Sequence, residues 1–326
     1  MRNKVINLQY TTVKDPVPDF IYEGLKEFSS GANTYRPQPP ELIGKLAKKH
    51  NIPSEMIYLT AGCDEAIQMF IHAYGERTFT FTPTYIVYSD AKEFGKEFSG
   101  ISSIKNNSFE INTGRIDKAT LVFLANPNNP SGFTGKEKVL ELIKNNSHAK
   151  LVIDEAYGDF ADLSVIDQVQ KFPHLAVFKS FSKGFGMAGN RVGYFIAQPE
   201  TVAVVKNKAQ WSNISYLSVG AAIVALDHEN YFSEMRGEIH KRRDNFMSFL
   251  KEQGLAFLPS KINAVVLKFK NEEEGTGFFE YLKKNNVITS HGNGFSNIGL
   301  DKSFVRIAIG NNEQMSILKE VIKGYR

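Results

Sequence analysis

Polar residues of a few kinds recur just beyond short apolar runs. Gly62-Cys63-Asp64 follows MIYLT (56–60), and Asn129 lies in the Asn-Pro-Asn-Asn-Pro-Ser-Gly run (126–132) after LVFLA (121–125). Asp154 closes KLVID (150–154), and Tyr157 comes three residues later. Ser180, Ser182 and Lys183 follow in the run from LAVFKS (175–180), with Arg191 close behind. These are an anion cradle, an amide, a carboxylate, a phenol, an amine and a guanidinium. In open α/β sheets ligands bind at the carboxyl ends of the strands, so the groups are expected to converge.

Singly, each has an ordinary reading: a surface lysine, a structural ion pair or cap, a turn asparagine, a packed tyrosine. Together they describe a pyridoxal phosphate site. A lysine in a crowded, cationic, partly desolvated site loses its proton more easily and can form a Schiff base with an aldehyde. Asp154 would keep a pyridine nitrogen protonated and so make the ring an electron sink. Asn129 and Tyr157 would donate to the ring's phenolate oxygen. Gly62-Cys63-Asp64, between a strand and a helix, would offer backbone N–H groups to the phosphate, with Asp64 equally readable as an N-cap. Ser180 and Arg191 would complete that cradle, since a planar guanidinium pairs with two phosphate oxygens. Tyr85, in Pro-Thr-Tyr-Ile-Val-Tyr (83–88), would stack on the ring or simply pack.

Gly184-Phe-Gly-Met-Ala-Gly189 also fits the G-x-G-x-x-G dinucleotide pattern. That fingerprint needs a helix after it. An apolar β run, VGYFIA (192–197), follows instead, so the glycines read as a tight loop.

The elements that must position these groups alternate. The apolar runs above, with TFTF (78–81) and VGYFIA, read as strands; 41–50, 65–73 and 136–143 read as helices. This predicts an α/β fold with a mostly parallel sheet covered on both faces. Residues 200–252 read as long and helical. Beyond Gly254 the pattern becomes α+β: strands at 264–269, 287–289 and 304–309, a helix at 277–285 and a final helix. Residues 1–34 are polar with Pro16 and Pro18 and read as an arm or lid. The expected division is 1–34 arm, 35–235 large cofactor-binding domain and 236–326 small domain.

The 326 residues are 42% hydrophobic and 23% charged, an ordinary globular mix that excludes a disordered or coiled-coil chain. A net charge of +4 is too small and too scattered to imply nucleic acid or a membrane partner. The lone Cys63 excludes a disulfide framework and a Cys-rich zinc site. The N-terminus lacks the apolar core of a signal peptide, and no apolar run is long enough to span a bilayer. A cytoplasmic protein is expected, and the Asn-x-Ser matches at Asn106 and Asn145 read as chance.

The chain resembles the fold-type I pyridoxal phosphate enzymes, specifically class I/II aminotransferases near the histidinol-phosphate aminotransferases. The matching segments are LTAGCDEAI, TPTYIVY, LANPNNPSG, VIDEAYGDF, SFSKGFGMAGNRVGY and FVRIAIG, in the family's order from about residue 35 to the C-terminus. The resemblance implies pyridoxal phosphate carried on Lys183, Asp154 at the pyridine nitrogen, Asn129 and Tyr157 at the phenolate, and Tyr85 on the ring. It places Gly62, Cys63, Asp64, Ser180, Ser182 and Arg191 around the phosphate. Tyr35 resembles a tyrosine that reaches the phosphate of the neighbouring subunit, which implies a homodimer. Arg306 resembles the arginine that binds the substrate carboxylate, or the phosphate of histidinol phosphate. The implied activity is transfer of an amino group between an amino acid and a 2-oxo acid.

Three departures stand out. NLQYTTVKDPVPDF replaces the family's N-E-N-P-like segment bordering the substrate. Y-R-P-Q-P replaces Y-P-x-P. Ser290 stands where histidinol-phosphate enzymes carry a second arginine, with His291 and Lys302 nearby as partial substitutes. A plain amino acid on Arg306 is therefore expected over histidinol phosphate. A decarboxylase of the threonine-phosphate type shares these motifs and is the rival reaction; a non-enzymatic cofactor-binding module is the rival class.

Overall fold

The computed structural model describes residues 5–105, 108–294 and 296–325. Asn106 therefore lies outside the described residues, as do the first four residues of the expected arm.

Seven strands form the main sheet: β1 (Ile57–Thr60), β2 (Arg77–Thr82), β3 (Glu97–Ser102), β4 (Leu121–Ala125), β5 (Lys150–Asp154), β6 (Leu175–Ser180) and β7 (Gly193–Ala197). Their spatial order is β1-β7-β6-β5-β4-β2-β3. Strand β7 is antiparallel to both neighbours, and the remaining pairs are parallel. The apolar runs of β4, β5 and β6 are what a sheet covered on both faces requires. Alternate residues enter opposite cores, with Val122, Leu124, Ile153 and Val177 on one side and Phe123, Val152 and Phe178 on the other. Because β4, β5 and β6 are parallel, Ala125, Asp154 and Ser180 end on one edge.

Helices α1 (Asp19–Ser29), α2 (Pro40–His50), α3 (Cys63–Tyr74), α4 (Lys136–Asn145), α5 (Pro199–Val205), α6 (Tyr216–Asp227) and α7 (Glu229–Glu252) surround this sheet or lead away from it. A second, antiparallel sheet orders β8 (Phe257–Leu258), β9 (Ala264–Lys268), β11 (Phe304–Ala308) and β10 (Ser290–His291). It packs with α8 (Glu272–Lys284) and α9 (Asn312–Lys323) around Phe278, Leu282, Val305 and Leu318. A capping box between Asn311 and Gln314 starts α9. Among the described residues no helix is long and apolar enough to cross a membrane.

Three expectations are corrected. Residues 19–29 are helical rather than an irregular arm, because Ile21, Leu25 and Phe28 form a stripe that packs on α6. Pro18 only precedes that helix and does not break it. The long helical stretch is interrupted between 209 and 215 and again at His228, so α5, α6 and α7 are separate. The expected strand 287–289 divides: Val287–Ile288 pairs with Ile6–Asn7, while Ser290 enters the small sheet opposite Arg306. Edge strand β3, polar and half-exposed, carries no sequence signal.

The segment from Ile6 is thus fixed to the C-terminal unit. Leu8 donates its N–H to the Ile288 carbonyl, and its own carbonyl accepts from Ala308. From there the chain runs on to Tyr10, Thr11 and Thr12 at the sheet edge.

Candidate active site

A cavity of about 210 Å³ opens at the carboxyl ends of β4, β5 and β6. Its wall holds Cys63, Asp64, Tyr85, Asn129, Asp154, Tyr157, Ser180, Ser182, Lys183, Arg191 and Arg306. The sequence-predicted groups therefore converge, with two exceptions. Gly62 lies just behind the wall. Tyr35 is elsewhere: it is 76% exposed, beside the exposed ring of Trp211 at 5.4 Å.

Each loop is shaped to free one side chain. In the loop after β4, Asn126 exchanges bonds with Thr134 at 3.0 and 2.8 Å. Asn128 donates to the carbonyls of Pro83 and Ser131 and accepts from Thr84. With its neighbours holding the turn, Asn129 faces the cavity. Its Oδ1 accepts from Arg306 Nη1 at 2.8 Å. A guanidinium can only donate. The amide of Asn129 is therefore oriented with its NH₂ left to donate elsewhere.

Asp154 is buried and accepts from the Tyr88 hydroxyl at 2.7 Å and the Ala156 N–H at 2.9 Å. Burial raises its carboxyl from 3.8 to about 6, against the pull of those two donors. A cationic neighbour would stabilise its charged form. Lys183 Nζ lies 3.2 Å from Thr11 Oγ1 and 5.4 Å from the centre of the Tyr157 ring. No carboxylate among the described residues pairs with it. Around it the chain turns tightly: a Cβ on Gly184 would lie 2.4 Å from Asp159, so that glycine is required by close approach. The G-x-G-x-x-G run is this turn, followed by antiparallel β7.

At the start of α3, Gly62 has φ +81°, and no side chain caps the helix. A Cβ there would lie 2.5 Å from Arg191 Nη2, so the guanidinium sits directly on the helix N-terminus. Asp64 is not the N-cap. Its carboxylate accepts from Arg191 Nη2 and from the Tyr85 hydroxyl, both at 2.8 Å, and so holds those two side chains. Ser180 Oγ accepts from the Ser182 N–H at 3.0 Å. Burial, then Asp154 and Asp64, push the Cys63 thiol well up, so it is no nucleophile.

The donor set fits pyridoxal phosphate. Uncapped helix N–H groups, Arg191 and two serines suit a phosphate; a buried carboxyl with a raised pKa suits a pyridinium; an amine without a carboxylate suits an aldehyde.

Arg306 is 2% exposed, yet no carboxylate among the described residues pairs with it. Nη1 donates to Asn129 Oδ1 and Asn297 Oδ1 at 2.8 and 3.0 Å, and Nη2 to the Gln9 carbonyl at 2.8 Å. Nε–H has no partner. Of five N–H groups, Nε–H and one on Nη2 remain. Burial lowers its pKa, and Tyr157 partly offsets this.

Sequence reasoning missed Tyr10, Thr11, Thr12, Tyr88 and Ser296 in the wall. The first three lie in the divergent N-terminal stretch. Tyr88 stands in the quoted TPTYIVY segment, where its partner Asp154 was not legible. Ser290, buried, bonds the Gly294 carbonyl. His291 bonds the Lys302 carbonyl and stacks on Phe279. None of Ser290, His291 and Lys302 lines the cavity.

A family model described as aminotransferase class I and II matches residues 3–322. A histidinol-phosphate aminotransferase of Thermotoga sp. (strain RQ2) is 34% identical over 94% of this chain and 90% of its own length. The structure of the histidinol-phosphate aminotransferase from Clostridium acetobutylicum superposes with a TM-score of 0.89 at 25% identity, covering 98% of each chain. That of the Sinorhizobium meliloti enzyme, in complex with pyridoxal-5'-phosphate, gives 0.85 at 21% identity over 99% of this chain and 92% of that one. With the cavity and the coverage together, the chain belongs to the aminotransferase class I and II family, fold type I, with pyridoxal phosphate as its cofactor.

Proposed function

We propose that this aminotransferase takes an ordinary α-amino acid as donor, held by its carboxylate on Arg306, with a 2-oxo acid as acceptor. The observation that carries the reading is Arg306 itself. A buried guanidinium without a carboxylate partner, and with Nε–H and one Nη2–H unassigned, is arranged for a ligand's carboxylate.

Bound pyridoxal phosphate supplies an aldehyde for amines and a protonated ring that withdraws electrons from the substrate's Cα. Asp154 would keep the ring nitrogen protonated. Asn129, oriented by Arg306, and Tyr157 would donate to the ring oxygen. Tyr85 would cover the ring face, and Gly62, Cys63, Asp64, Ser180, Ser182 and Arg191 would surround the phosphate. Lys183 Nζ removes the proton from Cα.

Histidinol phosphate is the second reading, favoured by the names of the relatives. Against it stands position 290, directly opposite Arg306 across the sheet. A side chain there would share that arginine's face, but it is a serine; His291 is engaged with the Lys302 carbonyl, and neither His291 nor Lys302 lines the cavity. A phosphate dianion would meet one guanidinium.

The exposed Tyr35 and Trp211 support a homodimer in which Tyr35 reaches the neighbouring site. Light scattering and a Tyr35→Ala variant with weakened cofactor binding would test that assembly.

The main test is single-turnover reaction of the holoenzyme with a panel of amino acids, without acceptor. Stoichiometric 2-oxo acid is expected. Release of CO₂ instead would assign a decarboxylase, and no product from any amino acid would overturn the reading.

A further inference from the structure

Thr11 lies at the end of the segment fixed to the C-terminal unit, outside the motifs that carry the family resemblance. It is 6% exposed and lines the cavity. Its hydroxyl stands 2.7 Å from the Tyr157 hydroxyl and 3.2 Å from Lys183 Nζ. Its carbonyl accepts from Asn263 Nδ2 at 3.0 Å and lies 3.4 Å from Lys183 Nζ. One small side chain thus touches both the amine and the phenol of the site.

A threonine hydroxyl carries one proton to donate and two lone pairs. When Lys183 is an ammonium, it donates to Thr11 Oγ1. When Lys183 is a neutral amine, Thr11 donates to its nitrogen and accepts the single Tyr157 proton, which leaves the ring oxygen to Asn129 in that state. The same atoms in the same places serve both proton states. The need is sharpened by Lys14, whose amine bonds Thr12 Oγ1 at 3.0 Å. Burial, then the charge of Lys183, lowers the Lys14 pKa, so the two amines oppose each other across this corner. The hydroxyl is not what holds the segment. The Leu8–Ile288 and Ala308–Leu8 bonds use backbone on both sides, and Asn263 binds Thr11 through its carbonyl.

We propose that Thr11 is a further catalytic residue of the transamination, its hydroxyl holding the Lys183 amine in both proton states and joining it to the Tyr157 phenol. The assignment rests on the reading of Lys183 as the group that removes the Cα proton.

The test compares Thr11→Val and Thr11→Ser holoenzymes with the wild type. Three quantities are read: pyridoxal phosphate affinity, thermal midpoint, and the single-turnover rate of 2-oxo acid release from protiated and Cα-deuterated amino acid. Valine keeps the shape and the backbone bonds. It is expected to leave cofactor affinity within about threefold and to slow the single turnover roughly ten- to hundredfold, the worth of a lost bond to a charged group. The isotope effect should rise, because proton removal becomes more limiting, and serine should restore most of the rate. A valine variant within about twofold of the wild-type rate overturns the proposal. So does parallel loss of rate, midpoint and cofactor affinity in both variants, which would mark a structural role. A wild type that forms no 2-oxo acid fails the transaminase reading itself, whereas a fast valine variant beside an active wild type fails only Thr11.

Discussion

Lys179 and Arg306 are two of the buried cations among the described residues, and the chain treats them differently. Lys179, in β6, lies 3.2 Å from Asp159 and 3.6 Å from Glu155. Burial pulls its pKa down, but Asp159 and Glu155 raise it further, so the net direction is up. Glu155 is itself held by Ser164 and the Val165 N–H, and Asp159 packs on Gly184. That cluster is complete. Arg306, equally buried, is bonded only to neutral oxygens, and burial lowers its pKa. A charge satisfied within the chain reads as structure; a charge held in place yet left without its counter-ion is what a ligand site requires. Lys183, also without a carboxylate, belongs with Arg306, and this contrast separates it from Lys179 only four residues earlier.

The largest effect expected is from Lys183→Ala. It should abolish both the visible absorbance of lysine-bound cofactor and all transamination, with little loss of stability, since no ion pair is broken. Residual turnover near wild type would return Lys183 to the structural group.

Lys179→Met should do the reverse. It leaves Glu155 and Asp159 buried without their cation, at a cost of about 3–5 kcal/mol in denaturant unfolding. Unchanged stability would mean that the cluster is not closed.

Asp154 sharpens the contrast from the acid side. Its carboxyl is raised by burial from 3.8 to about 6, so between those values the folded state binds more protons than the unfolded one. Stability of the cofactor-stripped protein therefore falls as pH rises through this window, and the loss is complete above it. Asp154→Asn should stabilise the stripped protein at pH 8 by roughly 2–3 kcal/mol, show no difference below about pH 4, and cut turnover by orders of magnitude. A variant less stable than wild type at pH 8 would show that Asp154 is satisfied without a ligand.

The smallest effect concerns substrate choice. With Arg306 alone, an α-amino acid should be preferred over histidinol phosphate in kcat/KM with 2-oxoglutarate as acceptor. A second charge-assisted bond is worth about 1.5–3 kcal/mol, hence roughly tenfold to a hundredfold. A tenfold preference for histidinol phosphate would restore the activity that the relatives are named for.

Much of this was legible in the sequence. Strands β4, β5 and β6 are short, mostly apolar and bounded by turn residues, and the polar groups at and beyond their ends sit in fixed order. What was missed depends on contacts rather than on pattern. Pro16 and Pro18 masked the stripe of α1, whose stability comes from packing on α6. Tyr88 and Thr11 matter because of Asp154 and Lys183, residues 66 and 172 positions away. No local periodicity encodes such pairs. The fate of Arg306 was legible as a motif, but its lack of a carboxylate was not, because burial and partners are properties of the fold.

That difference between the two cations is tested most directly by Arg306→Met, measured for amino-acid KM and for thermal midpoint beside Lys179→Met. Losing two charge-assisted bonds should raise KM about a hundredfold or more. The midpoint should fall less than half as far as in the Lys179 variant, because only neutral oxygens beside the cavity lose a donor. An unchanged KM with a midpoint loss matching that of Lys179→Met would contradict the account and make Arg306 a structural cation.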